Sequence, residues 1–456
     1  MAQPLEPPKD DLELPPGLMG DIARFIYQSA PRPVKEIAIS AAIGLMAGIC
    51  GRSYNISGTG LNQYLLLLAP TGTGKEAMAA GIDKLMNTIR EQVPAAIEFI
   101  GPSEIASGQA LVKHLNKHPC FVSILGEFGL RLQTMANANA NGAEVSLRRI
   151  ILDLYNKSGF TQTFRPSIYA DKDKNITATR SPAFSILGES TPERFYGALS
   201  EEMISEGLLP RFMIIEYSGD RPPLNPAHIG VKMETGFVNQ VVGLASMAHQ
   251  ISFSNKVVDV GYSHEATEIL DAYDKTCDAK INNTSKEVLR QLWNRAHMKV
   301  LKLSALIAVG VNPSFPIIQP DHIMWAKNLI EADIQNISSK FEKGEIGLFA
   351  NENQQLEEML NQIKNYYRMP WEKIKSYTKH HGMYIDRVIP FEYLQRRLIT
   401  QGLFRLDKIG ATNAVNRTLK SLLDSDRLRE VSKQEIIFKY GARQRCFILN
   451  DVRILD

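Results

Sequence analysis

Cysteine is scarce in this chain of 456 residues: Cys50, Cys120, Cys277 and Cys446 stand 70, 157 and 169 positions apart. No pair has the spacing of a zinc knuckle or a redox motif, and a reducing compartment is the simplest reading. Long apolar runs are also missing. The most apolar stretch, residues 37–51, falls short of the roughly 20 residues that a membrane span needs. It reads as a buried helix, and the chain as a soluble, cytoplasmic protein without a membrane partner. The start, MAQPLEPPKDDLELPPG, has no basic segment leading into an apolar one, so it is not a signal peptide; residues 1–17 read as a disordered lead. There is no internal repeat. Nor does one sign of charge prevail, since 52 Lys and Arg against 49 Asp and Glu leave +3. What is present, 44% hydrophobic and 22% charged residues, excludes a disordered or fibrous chain and suffices for at least one full core. The charge is uneven, however: residues 371–456 carry +7 and the rest −4. A separately basic end is the asymmetry expected where a polyanion is the partner.

Two helices, 18–29 and 34–50, are divided by Pro31 and Pro33, which cannot sit inside a helix without removing a hydrogen bond. They form a helical collar over 18–62. The run YLLLLAP, 64–70, is continuous and apolar, as a strand buried on both faces of a parallel sheet is. A helix from Lys75 to about Val93 follows. Further apolar runs at 96–100, 121–125, 183–187 and 212–217 alternate with helical patterns at 103–117 and 143–158, which predicts a parallel α/β sheet over 63–225. Beyond Pro222, Pro223 and Pro226 the segments 265–281, 285–309 and 320–341 are long and helical in period, giving an all-helical domain over 226–345. A linker helix over 346–370 leads into the basic end. There, helices at 390–399 and 409–425 and the alternating EIIFKYGARQRCFIL, turning at Gly441, predict a winged helix over 371–456.

The strongest chemical signal is LLLLAPTGTGKEA, 65–77. A strand delivers a glycine-rich turn to a helix N-terminus, where backbone N–H groups and the helix dipole can surround phosphates while a lysine reaches the β and γ oxygens. Thr71, Gly72, Thr73, Gly74, Lys75 and Glu76 are the predicted nucleotide-binding residues, with ATP and Mg²⁺ as the ligands. Ala69 replaces the first glycine of G-x-x-x-x-G-K-[ST], and Glu76 replaces the hydroxyl that would hold Mg²⁺. Glu76 either takes over as a metal ligand or repels the phosphates. In FVSILGEFG, Glu127 is the candidate general base at a strand end, and its usual acidic neighbour is Gly126. The plain alternative for Glu127 is a solvated acid. SILGESTPERF offers Ser190 as a γ-phosphate sensor, or Ser190 or Thr191 as a simple helix cap. In EGLLPRFMIIEY, Arg211 could act on a nucleotide held by an adjacent subunit or pair locally with Glu206 or Glu216.

These residues, in this order, resemble the RecA-like P-loop ATPases of phages, prophages and mobile elements. That family is described as a domain of unknown function, sits beside or fused to primases, and is taken to supply replicative helicases. The likeness runs from PPGLMGDIARFIYQSAPRPVKEIAISAAIGLMAGICGRSY through NQYLLLLAPTGTGKE, ILGEFG, SILGESTPERF and GLLPRFMI to WNRAHMKVLKLSALIAV, covering about 15–340. It implies a RecA-like core in which Gly72, Thr73, Gly74 and Lys75 bind phosphates, Glu127 is catalytic and Arg211 acts in trans within a homo-oligomeric, hexameric ring. Glu76 and Gly126 depart from the family pattern. No primase-type domain is visible, so a primase or a replication initiator would be a partner.

In a winged helix one helix lies in the major groove and the wing meets the backbone. The predicted recognition helix, 411–424, carries Asn413, Asn416, Arg417 and Lys420, and the wing carries Lys439, Arg443 and Arg445. Such residues mainly neutralise phosphates of single-stranded or forked DNA; a winged helix can equally dock proteins. Tyr366, Tyr367 and Trp371 read as core. Three functions follow: an ATP-dependent DNA motor, a nucleotide-binding but weakly hydrolysing helicase loader or DNA-bound scaffold, and a sequence-specific initiator.

Overall fold

A computed structural model describes residues 12–136, 140–168, 170, 175–199, 207–342, 348–378, 380–405, 407 and 410–450. It divides into two compact units, 1–339 and 340–456. Among the described residues, no helix is long and apolar enough to cross a membrane.

In the first unit, α1 (Gly17–Gln28) and α2 (Lys35–Cys50) flank the two prolines. Every residue of α2 except Glu36 is buried, which is why a run so apolar needs no membrane. The lead is partly ordered: the Trp325 indole donates to the Glu13 carbonyl at 2.8 Å, while residues 1–11 lie outside the described ones. The central sheet is formed by β1 (Tyr64–Leu68), β2 (Cys120–Leu125), β3 (Ala183–Ser190) and β4 (Met213–Glu216), all parallel in the order β2-β3-β1-β4. All five side chains of β1 are buried, as its unbroken apolar run requires. Between the strands run α3 (Ala77–Gln92), α4 (Gly108–Lys117), α5 (Phe128–Ala136), α6 (Gly142–Leu154) and α7 (Pro192–Ala198).

One predicted strand is not there. Residues Pro94–Phe99 form a 3₁₀ turn, and only Ile100 bridges to β2, at Val122. Pro94 sets a helical φ at the first position of the turn.

The two faces of the sheet are set by alternation along β3. Leu187 packs on Gly44 of α2, and Gly188 lies under Phe128 of α5. Glu189 therefore shares the α2 face and Ser190 the α5 face. Four helices complete the unit: α8 (Thr235–Phe253), α9 (His264–Asn282), α10 (Glu287–Val311) and α11 (Pro320–Glu342). The helical segment is not a separate body, because α10 packs on α1 and α2 and belongs to the same unit. Its two buried lysines secure it. Lys299 donates to the Phe212 carbonyl and pairs with Asp333 at 3.5 Å, and Lys302 donates to Asn62, which in turn donates to the Phe184 carbonyl at 3.1 Å.

The second unit has α12 (Leu348–Arg368), α13 (Phe391–Leu398), α14 (Ala411–Asp424) and α15 (Lys433–Tyr440). They pack with an antiparallel sheet in the order β5-β7-β6, where β5 is Ile389–Pro390, β6 Leu428–Glu430 and β7 Cys446–Leu449. The presumed linker helix is part of this core, since Met359, Ile363 and Tyr366 of α12 are fully buried against Tyr393, Leu419 and Phe447. Tyr366 is a core residue, as the sequence suggests, while Tyr367 and Trp371 are partly buried and pack against that core. The hairpin predicted to turn at Gly441 is replaced by α15. Ser432 caps that helix by accepting from the Glu435 amide at 3.2 Å, and Gly441 ends it at φ +67°, so S-K-Q-E is a helix start rather than a strand.

Candidate nucleotide site and nucleic-acid face

The loop 69–76 leaves the C-terminal end of β1 and enters α3. Gly72 and Gly74 hold φ of +81° and +94°, the left-handed region that favours glycine. Two bonds shape the loop. The Thr73 hydroxyl donates to the Pro70 carbonyl at 2.7 Å, and the Lys75 ammonium folds back onto the Ala69 carbonyl at 3.2 Å. The backbone amides of Gly72, Gly74, Lys75 and Glu76 donate to no backbone acceptor among the described residues. Free N–H groups, a helix N-terminus and one lysine are brought together in a single loop, and these are the parts that hold a phosphate chain.

Glu127 sits at the turn from β2 into α5 with φ +49°, uncommon for a residue with a side chain. Its carboxylate is exposed and is held by Arg194 of α7. To act as a base on water it must first exchange that guanidinium for another partner. Glu76 is exposed at the entrance to α3, where its side chain makes no capping bond.

Sequence reasoning missed Glu189. It pairs with Leu67 of β1 and is half-buried on the face that the loop shares. Burial raises its pKa; Lys75 draws it back down, and Glu76 and Glu127 push it up again, so all three lie within electrostatic reach. Its Oε1 lies 3.9 Å from where a Cβ on Gly126 would be. A carboxylate from the neighbouring strand thus stands beside Gly126. The signal was present as an ionisable residue inside SILGES. Ser190, the predicted sensor, turns the other way: its hydroxyl donates to the Thr191 carbonyl at 3.2 Å and packs at Gly129 of α5. Thr191 occupies the cap position of α7 with Pro192 following, although its side chain makes no capping bond.

Arg211 does not join this site within its own chain. The register pairs Leu65 with Met213, so Arg211 precedes β4 and stands at the N-terminal end of the parallel strands, opposite the end from which the loop leaves. It donates to the Gly207 carbonyl and lies 5.9 Å from the centre of the Tyr155 ring; burial, and then Arg295, lower its pKa. No pairing with Glu216 forms, because that carboxylate takes the Tyr196 hydroxyl and the Asn336 amide; Glu206 lies outside the described residues.

Among the described residues no group of three His, Cys, Asp or Glu is placed to hold a metal ion. Glu76, next to the lysine in sequence, and Glu189, within its electrostatic reach, suit Mg²⁺ only as partners to phosphate and water oxygens.

In the second unit, Asn413, Asn416 and Lys420 share one exposed face of α14. Arg417 does not: it donates to Asp407 at 2.7 Å and to Gln355 at 2.9 Å, which makes it a structural tie. Lys439 lies on α15 rather than on a strand and pairs with Asp386 at 3.0 Å. Arg445 grips Glu430 through two bonds of 2.8 and 2.9 Å, and its pKa rises accordingly. Arg443 is exposed in the segment between α15 and β7. Three of the five predicted cations, Arg417, Lys439 and Arg445, are therefore paired with carboxylates, leaving Lys420 and Arg443 better placed for phosphates.

No protein-family model matches the chain, and no curated protein matches it.

Proposed function

We propose that this protein is an ATP-dependent DNA motor, a ring-forming replicative helicase of a phage or mobile element. The observation that carries the reading is the loop 69–76, with its free amides at a helix N-terminus and Lys75 folded beneath them. Lys75 and the amides would bind the β and γ phosphates, and Mg²⁺ would arrive with the nucleotide, facing Glu76 and Glu189. Bound there, the ion would polarise the terminal phosphoryl group. Glu127, once released from Arg194, would take a proton from the attacking water. Arg211 stands at the opposite end of the strands from the loop, so a role on nucleotide would be in trans and would require it to leave the Gly207 carbonyl. Lys420 and Arg443 would hold the DNA backbone without reading sequence. The C-terminal unit packs three antiparallel strands with α14, and α15 stands between the two strands that a wing would join directly. A RecA-like core and a winged helix both belong to this proposal.

A second reading, a weakly hydrolysing helicase loader or assembly scaffold, is favoured by one specific feature: Glu127 is tied to Arg194 while Gly126 contributes no acid. Strand displacement on forked DNA decides between them. The wild-type chain with ATP and Mg²⁺ should separate the strands. Glu127→Gln should bind nucleotide with affinity within about twofold of wild type and lose nearly all displacement, because the amide keeps the shape and cannot accept a proton. Displacement that survives this change would remove Glu127 from the mechanism, and a wild type that never displaces a strand would favour the scaffold.

A further inference from the structure

The loop is overlooked by two arginines from distant parts of the chain. Arg32 lies in the turn between α1 and α2, and its carbonyl oxygen and Cβ stand 2.9 and 3.1 Å from where a Cβ on Gly74 would be. Its guanidinium donates to the Pro222 carbonyl, so the segment after β4 is drawn against the loop. A second set of bonds fixes that segment. Buried Asn225 donates from its side chain to the Gln28 carbonyl at 2.8 Å and from its backbone to the Pro31 carbonyl, also at 2.8 Å. Tyr217 ties the start of the segment, with its amide on the Leu68 carbonyl at 2.8 Å and its hydroxyl on the Asp220 carbonyl at 2.6 Å.

Between these anchors stands Arg221. Its Nε lies 3.9 Å from where a Cβ on Gly72 would be, at the crest of the loop, and the residue is exposed. It has no hydrogen-bond or ion-pair partner among the described residues. A guanidinium is planar, always charged and suited to binding two phosphate oxygens together. The charge balance also calls for it. Glu76, Glu127 and Glu189 gather around the loop, Arg194 is occupied by Glu127, and Lys75 alone faces them. A triphosphate entering this site brings further negative charge, which one ammonium offsets poorly.

We propose that Arg221 is a phosphate-binding residue of the loop, supplied in cis, which grips the outer end of a nucleoside triphosphate and so favours it over the diphosphate. Arg32 and Asn225 are positioning residues that hold the segment in place. The inference rests on the reading of 69–76 as a phosphate loop, and the experiment separates the two. ATP and ADP are titrated against the full-length wild type, Arg221→Ala and Arg221→Lys, with thermal unfolding of each as a check on folding. In the wild type, saturable binding of both nucleotides supports the loop itself, and its absence overturns that reading. Given binding, Arg221→Ala should weaken ATP about tenfold and ADP less than threefold, while Arg221→Lys recovers part of the loss. Equal affinity for ATP in wild type and Arg221→Ala, both folded, overturns the inference and leaves the loop standing. An equal loss for both nucleotides overturns the preference for the triphosphate.

Discussion

Lys75→Ala should reduce affinity for ATP by at least about a hundredfold and leave the unfolding temperature nearly unchanged. The side chain is the sole cation rooted within the loop, and it already lies over the Ala69 carbonyl, beneath the place where phosphates would sit. A charge-assisted bond to phosphate is among the stronger polar contacts, on the order of 1.5–3 kcal/mol each, and a lysine bridging two phosphates makes more than one. The fold has little stake in it, because the loop is shaped by Gly72, Gly74 and the Thr73 hydroxyl. Titration with ATP and a melting curve on the same sample check both halves of the expectation. Retained affinity would place the nucleotide elsewhere.

The second large effect concerns stability. Lys302 is fully buried in α10, with Asn62 as its hydrogen-bond partner and the Tyr155 ring 4.9 Å away. Burial alone pushes its pKa down to about 7 from 10.5. Between those two values the unfolded chain holds a proton that the folded chain has released. Stability from this group therefore rises with pH across the window from 7 to 10.5, by on the order of 4 kcal/mol in all, and is lowest below pH 7, where the buried ammonium stays charged. Lys302→Met keeps the length and removes the charge. The variant should be more stable than wild type at pH 6 by on the order of 2 kcal/mol. Near pH 10 it should be less stable by about 1 kcal/mol, since Asn62 loses its donor while the wild-type lysine is neutral. Denaturant midpoints at three pH values test this, and parallel pH profiles for the two proteins would mean that Lys302 does not titrate in the fold.

How far the sequence carried the structure depends on what kind of order each segment encodes. β1 was legible because an unbroken apolar run has few other homes, and α2 because Ala and Gly between larger apolar residues allow burial on all sides. The loop was legible because strand, glycines and lysine are consecutive. The C-terminal hairpin was misread because EIIFKY satisfies a period of two and a period of 3.6 over so short a span, and the capping residues at Ser432 and Glu435 decided it. Glu189 and Ser190 differ by one position, and in a strand one position is the whole difference between two faces. Sequence alone does not say which of the two shares the face of the loop, since that face is fixed by Leu187 packing on α2, a contact distant in the chain. Arg221 was invisible for the same reason: its nearness to Gly72 is created by Arg32 and Asn225, which join segments about 190 residues apart.

The central claim is that this loop binds ATP and spends its hydrolysis on DNA, and steady-state turnover with and without single-stranded DNA tests it most directly. The account predicts slow Mg²⁺-dependent release of phosphate by the chain alone, a severalfold increase on adding single-stranded DNA, and loss of that activity in Lys75→Ala. Phosphate release that is absent with and without DNA, or that survives unchanged in Lys75→Ala, would contradict it.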